Sequence, residues 1–314
     1  MIRNYLHTPQ AISKKSGSAL LITITITALL TIIVVEQLHN AWLQSSLVAS
    51  FKNKTVALYK ARAGIVAAKR ILQDQTFDDQ TTKYQLLEIA KIGIPISVED
   101  DQVLVQIVDE TGKISINSLV SGSGLPNSQN IALFKRLLSN LDLDENLADA
   151  AVDWIDNNDE PFEDGAESDY YESLDPPYKA KNMKLDSIAE IGMIKGFKRE
   201  VIMKLAPYIT IYSNGKVNIN SSSKEVLMAL NDNLTESMAT EIISNVTTEA
   251  YKNKSDLNKI VGISSIYPEI SNLIDVNGSW FLVTAIAQEN ETKKIITAVM
   301  KKESNVYIKY YKTL

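Results

Sequence analysis

The sequence predicts an α+β fold in which one long N-terminal helix packs on a small antiparallel sheet and a large, mostly helical insertion lies between them. Three observations predict it. Residues 17–35, GSALLITITITALLTIIVV, form an uncharged apolar run that passes directly into an amphipathic stretch reaching about Gln73. The middle of the chain carries helical periodicity around a dense acidic segment. After Gly278 the pattern changes to three short alternating runs, the period of strands.

The apolar run is preceded by a Lys14-Lys15-Ser16-Gly17 step, and no A-x-A cleavage site comes after it near Val35, the reverse of a secretory signal peptide. From Ser18 to Val35 a helix reaches about 27 Å, enough to cross the hydrocarbon core of a bilayer. Thr23, Thr25, Thr27 and Thr31 alternate with isoleucines as a strand would. A lone strand in lipid leaves its backbone unpaired, whereas a threonine hydroxyl in a helix bonds back to the preceding turn, so helix is expected. Leu58, Ala61, Ile65, Ala68 and Leu72 then recur at steps of three and four, with lysines and arginines mostly between them. A single rod of about 55 residues is predicted, greasy in its first half and amphipathic in its second.

Beyond the rod, Val103–Asp109 alternates as a strand, Glu110-Thr111-Gly112 supplies a turn, and Lys113–Ser118 is expected to fold back as the second strand of a hairpin. Thr111–Ser118, TGKISINS, nearly recurs as Asn214–Ser221, NGKVNINS. Each copy leads into a helical pattern, Ile131–Leu141 in one and Lys224–Leu230 in the other. The expected layout is therefore a leader over 1–17, the long helix over 18–75 with its membrane span at 18–35, and a first part of the sheet domain over 76–128. A helical insertion comes next over 129–211, then a further helical segment and the C-terminal strands over 212–314. Those strands are expected at Trp280–Gln288, Ile295–Met300 and Val306–Tyr311.

With 314 residues, 45% hydrophobic and 22% charged, the chain can bury an ordinary core. It has no cysteine, which excludes disulfide and thiol chemistry. Its only histidines, His7 and His39, lie at the N-terminal end, so no Ser-His or metal-His arrangement can be assembled in the remainder. The chain is predicted not to be an enzyme.

The densest chemistry lies between Asp153 and Asp175, where ten acidic residues occur without one Lys or Arg. So many like charges need either full solvation or a counter-ion. Trp154, Phe162, Tyr170 and Tyr171, with turn signals at Pro161 and Gly165, favour an ordered loop. Oxygen-only donors at short irregular spacings point to Ca²⁺, one or two ions, rather than Zn²⁺ or a redox metal. Asp156, Asp159, Glu160, Glu167 and Asp169 bracket the two turns and are the expected ligands, with Asp153 as an additional one. A solvated loop partly neutralised by the basic stretch Lys179, Lys181, Lys184, Lys195, Lys198 and Arg199 is the alternative.

These residues carry two resemblances. A short basic leader ending in glycine, a small residue after it and an apolar helix running on as an amphipathic one resemble the type IV pilin and type II secretion pseudopilin class. That implies cleavage between Gly17 and Ser18 by a prepilin peptidase and methylation of the new amine. The fifth residue after the cut, usually glutamate, is Ile22 here. DWIDNNDEP, GAESDYYESLDPPYKAKN, LDSIAEIGMIKGFKREVIMKLAPYIT and NGKVNINSSS resemble the minor pseudopilin K (GspK) family of the type II secretion system. Members of that family commonly lack the fifth-position glutamate, and they often carry an acid where this chain has Asn158.

The resemblance implies a pilin-like domain with a large helical insertion, Ca²⁺ in the acidic loop, and a place beside minor pseudopilins I and J at the tip of a pseudopilus whose shaft is the major pseudopilin. It also implies a single-pass protein of the bacterial inner membrane with its soluble part in the periplasm. A minor pilin of a type IV pilus or competence system is the alternative. Leader residues Arg3, Lys14 and Lys15 are basic, so the mature chain is more acidic than the net −6 of the whole. Ile191-Gly192 to Gly196 and Ile260–Ile263 resemble helix-hairpin-helix turns, yet an acidic chain is a poor ligand for duplex DNA, and no nucleic-acid partner is expected.

Overall fold

The computed structural model describes residues 16–74, 92–98 and 101–313. The leader up to residue 15 and residues 75–91 of the sheet domain lie outside the described residues. Helix α1 runs unbroken over Ser16–Gln73. It contains neither proline nor an acid before Glu36, and its threonines return their hydroxyls to the helix. Thr25 Oγ1 donates to Leu21 O at 2.8 Å and Thr31 Oγ1 to Thr27 O at 2.7 Å. The helix is long and apolar enough to cross a membrane.

The chain divides into two compact units. One holds Met1–Val56 with the turn Glu289–Thr292, where Asn290 Nδ2 donates to Asn53 Oδ1 at 3.2 Å. The other holds Ala57–Gln288 and Lys293–Leu314. In the second unit Ala61, Ile65, Ala68 and Leu72 are fully buried, as their spacing predicts.

They pack on a five-stranded sheet of order β1-β2-β7-β8-β9. The strands are β1 (Ile94–Val98), β2 (Asp101–Asp109), β7 (Trp280–Glu289), β8 (Thr292–Lys302) and β9 (Val306–Thr313). Val103, Val105 and Ile107 of β2, Phe281, Val283 and Ala285 of β7, and Ile296, Ala298 and Met300 of β8 face the helix and complete its core. Gly64 permits the close approach. A Cβ there would lie 2.8 Å from Val103 Cγ1 and 3.1 Å from Ala285 Cβ. Gly64→Val is therefore expected to cost about 1–3 kcal/mol through overpacking, read as a lower urea midpoint; an unchanged midpoint would disprove the tight seam.

The expected hairpin of 103–109 with 113–118 is not formed. β2 pairs antiparallel with β1 on one side and β7 on the other, and residues 113–118 leave the sheet. Asp109 causes the departure. Its carboxylate caps a 3₁₀ turn over Glu110–Gly112, accepting from Thr111 N at 2.9 Å and from the Thr111 hydroxyl. It also accepts from Asn218 Nδ2 at 2.7 Å and Ser221 Oγ at 2.8 Å, residues more than a hundred positions away. Burial pushes the Asp109 pKa above the usual carboxylate range.

A second core, made of helices, is built from two copies of one unit and runs from Glu110 to Asp275, wider on both sides than the expected 129–211. The first copy is β3 (Ile114–Ser115), α2 (Ser128–Asn140), α3 (Leu147–Asp153), the acidic loop with α4 (Ser168–Glu172), a 3₁₀ turn over Ile188–Met193, α5 (Arg199–Leu205) and β4 (Ile209–Thr210). In the second, β5 (Val217–Asn218), α6 (Lys224–Met228), α7 (Glu236–Thr248), a 3₁₀ turn over Lys254–Lys259, α8 (Ile263–Ile270) and β6 (Ile274–Asp275) keep the same order. Each copy closes by a parallel pair, β3 with β4 and β5 with β6.

The near-repeat TGKISINS/NGKVNINS is the shared entry strand, and its asparagines do the same work in both copies. Asn117 Nδ2 donates to Leu185 O at 2.9 Å and Ile211 O at 3.2 Å, while its Oδ1 accepts from Leu185 N at 2.7 Å. Asn220 Nδ2 donates to Tyr251 O at 2.9 Å and Val276 O at 2.8 Å, and its Oδ1 accepts from Tyr251 N at 2.8 Å. Each hairpin turn carries a glycine in the left-handed region, Gly196 at φ +84° and Gly262 at φ +89°. That explains why glycine recurs there.

Candidate functional site

The acidic segment occurs only in the first copy, between α3 and the hairpin. Helix α3 ends at Asp153, whose side chain is fully buried. Both Asp153 oxygens accept from Phe162 N, at 3.3 and 3.2 Å, so the carboxylate folds the loop back on the helix end. Gly165 rests against it, and a Cβ there would overlap Asp153 Oδ2. Burial is the main cause that raises the Asp153 pKa to about 6. Asp153 is thus the clasp of the loop.

The floor under the loop is aromatic. Trp154 meets Tyr171 edge-on at 5.0 Å between ring centres, and Tyr171 stacks on Tyr178 at 5.2 Å. From the hairpin, Lys195 closes the other side: its backbone N–H donates to Tyr171 Oη at 3.2 Å and its Nζ to Gly165 O at 2.8 Å and Asp164 O at 3.2 Å. The hairpin turn therefore spends its amide and its lysine on the loop.

Within this frame lie most of the buried polar atoms that have no hydrogen-bond partner among the described residues: Asp156 Oδ2, both Glu167 oxygens, Asn182 Oδ1 and Trp154 Nε1. Such atoms are costly unless a water or an ion completes them. Glu167 stands before α4 without capping it. Burial, followed by the charges of Asp153, Asp156 and Asp159, raises its pKa to about 7. Burial also pushes Asp156 upward.

Of the expected ligands, the structure brings Asp156, Asp159 and Glu167 within one another's field, together with Asp153. Asp159 is exposed and accepts from Asn182 Nδ2 at 3.0 Å. Glu160 and Asp169 are exposed, and neither is among the charges that raise Glu167. The lysines do not neutralise the centre. Lys179 pairs with Glu172 at 3.1 Å, and Lys181 with Asp186 at 2.8 Å and Glu190 at 2.6 Å.

Asn182 is the residue that a search for acids passes over. It holds φ +49°, and its amide nitrogen donates to Asn158 O and Asp159 Oδ1 while its oxygen is left as a buried, neutral acceptor. An asparagine, the residue type that tolerates positive φ, within a lysine-rich run was the only sequence signal. The donor set is all oxygen, which fits a hard divalent cation. Among the described residues no group of three or more His, Cys, Asp or Glu side chains is drawn together tightly enough to hold an ion. The donor chemistry fits, and the side chains stand short of a closed ligand shell.

Two family models match the chain, both described as type II secretion system (T2SS), protein K, over residues 112–214 and 217–277. Together they take in just over half of the chain, one to each copy of the helical unit. The type II secretion system protein K of Aeromonas hydrophila is 24% identical over 306 residues, covering 91% of this chain and 92% of the relative. That of Pectobacterium carotovorum subsp. carotovorum is 25% identical over 222 residues, 66% of each. Among solved structures, the crystal structure of the GspK-GspI-GspJ complex from the type 2 secretion system of enterotoxigenic Escherichia coli contains a chain of like fold. Its TM-score is 0.67 at 15% identity, covering 85% of this chain and 99% of that one.

Proposed function

Because this chain belongs to the type II secretion system protein K family, we propose that it is a minor pseudopilin, cut after Gly17 and assembled with minor pseudopilins I and J at the tip of the pseudopilus. The observation that carries the reading is the family match over both helical copies in a chain whose N-terminal helix can span a membrane. Assembly takes the place of catalysis. Before assembly α1 holds the subunit in the inner membrane, with the sheet and helical units in the periplasm. Afterwards its apolar half packs in the filament core beside the major pseudopilin.

Ile22 has no charge to pair with a neighbour's terminal amine, and the bulk of the helical unit would clash with a subunit stacked above it. Both features suit a tip position and support for the export of folded proteins.

The acidic loop serves this role structurally. Asp156, Glu167 and the Asn182 oxygen would hold a Ca²⁺ ion, with Asp159 beside them. When bound, the ion would neutralise the carboxylates and satisfy oxygens that otherwise lie buried and unpaired. Asp153 and Lys195 shape the loop from its two ends, so that the donors face inward.

Processing gives the direct test. Expressed with a prepilin peptidase, the mature chain is expected to begin at a methylated Ser18, read by intact mass and N-terminal sequencing. A chain that keeps Met1 would refute the pseudopilin reading of the N-terminus.

A further inference from the structure

β9 is the last strand of the sheet, and among the described residues no strand pairs with its outer edge. An edge of eight residues leaves alternate backbone N–H and C=O groups ready to pair with another chain. Lysines on an edge commonly blunt it, and Lys309 and Lys312 fit that use. The other side chains do not. Tyr307, Ile308, Tyr310 and Tyr311 are each 41–45% exposed, a concentration of tyrosine that marks protein contacts rather than a plain solvated edge.

Cations and rings alternate across the adjoining face. The register sets Lys301 opposite Tyr307 and Val299 opposite Tyr310. Lys301 Nζ lies 5.4 Å from the Trp280 ring centre, Trp280 stacks on Tyr212 at 5.8 Å, and Lys309 Nζ lies 5.9 Å from the Tyr307 ring centre. β8 and β9 with their turn carry six lysines against the single acid Glu303, in a chain of net charge −6.

A lipid surface is the other acidic partner such a patch could meet. Lipid headgroups carry the charge but offer neither a strand for the edge nor apolar side chains for the exposed tyrosines. The unpaired backbone also calls for a polypeptide. We propose that the free edge of β9 is the docking site for an acidic, extended segment of a partner subunit, which adds to the sheet as a sixth strand. Its backbone would pair with β9, its carboxylates would meet Lys309 and Lys312, and the tyrosines would cover its apolar side chains. This rests on the protein K reading, which supplies the partner subunits.

The test uses the full-length chain, co-expressed with minor pseudopilins I and J of the same system and purified in detergent. Hydrogen exchange of the outward β9 amides is expected to slow in the complex. Reversing the charges, Lys309→Glu with Lys312→Glu at exposed positions, is expected to weaken assembly at least about tenfold at low salt, less at high salt, with the melting temperature unchanged. A complex that forms with β9 exchange unaltered, or equally well with the reversed charges, overturns the docking site and leaves the protein K reading standing. Failure of the unaltered chain to assemble with I and J overturns that reading and this inference with it. Slowed β9 exchange on phosphatidylglycerol vesicles without partner subunits overturns the protein occupant in favour of lipid.

Discussion

Chelation with EDTA is expected to lower the melting temperature of the detergent-solubilised chain by about 5–10 °C, and millimolar Ca²⁺, but not Mg²⁺, to restore it. The size comes from linkage: free ion at a hundred times Kd adds about 2.7 kcal/mol, and each kcal/mol shifts a domain of this size by about 2–4 °C. Mg²⁺ demands a small octahedral shell and gives up its waters reluctantly, so a loose all-oxygen loop does not hold it.

pH separates the metal-bound and metal-free chains further. Burial raises Glu167 from 4.5 to about 7 and Asp153 from 3.8 to about 6, so the metal-free fold penalises both charged forms. The contribution of these two groups to metal-free stability is therefore fully present below their unfolded values of 3.8 and 4.5 and is lost as pH rises through about 6 and 7. With Ca²⁺ the trend over the same range reverses, because the ion binds only deprotonated carboxylates. Glu167→Gln is expected to stabilise the metal-free chain at pH 8 and to abolish the Ca²⁺-dependent rise. If thermal unfolding showed one pH trend with and without Ca²⁺, the acidic loop would be a solvated loop and no more.

Asn220→Ala is expected to destabilise the chain by about 3 kcal/mol or more, and Asn117→Ala by a similar amount. Each asparagine ties an entry strand to the two segments that close its copy. Truncation strands three buried backbone groups, Tyr251 N, Tyr251 O and Val276 O at one site and Leu185 N, Leu185 O and Ile211 O at the other. Each unsatisfied group costs about 1–3 kcal/mol. The losses should add, since the copies bond separately. A denaturation midpoint moved by less than about 1 kcal/mol in either variant would contradict the clasp.

The long helix, its buried stripe and the three C-terminal strands were legible because each depends on a local period. Ala61, Ile65, Ala68 and Leu72 meet the sheet wherever the sheet comes from, and alternation in Trp280–Glu289 survives any partner. The hairpin at 103–118 misled because Glu110-Thr111-Gly112 has turn chemistry, whereas the direction of the turn is set by Asp109 through Asn218 and Ser221. β1 stayed hidden because Pro95 weakens a five-residue strand pattern that is tolerated at a sheet edge. In the candidate site, a run of acids was visible as charge. The division of labour within it was not: Asp153 serves the loop backbone, and Asn182, which has no charge to notice, supplies a buried oxygen.

By itself the sequence determined the apolar helix, the class of fold and the presence of an acidic loop, since apolar length, period and net charge are properties of neighbouring residues. Only the tertiary structure decided that the repeated strands close two copies of one helical unit, that Asp156 and Glu167 are buried while Glu160 and Asp169 are exposed, and that β9 has no neighbour on its outer edge among the described residues. These depend on hydrogen bonds and burial between segments tens to more than a hundred residues apart, and no local pattern records which distant backbone a side chain will meet.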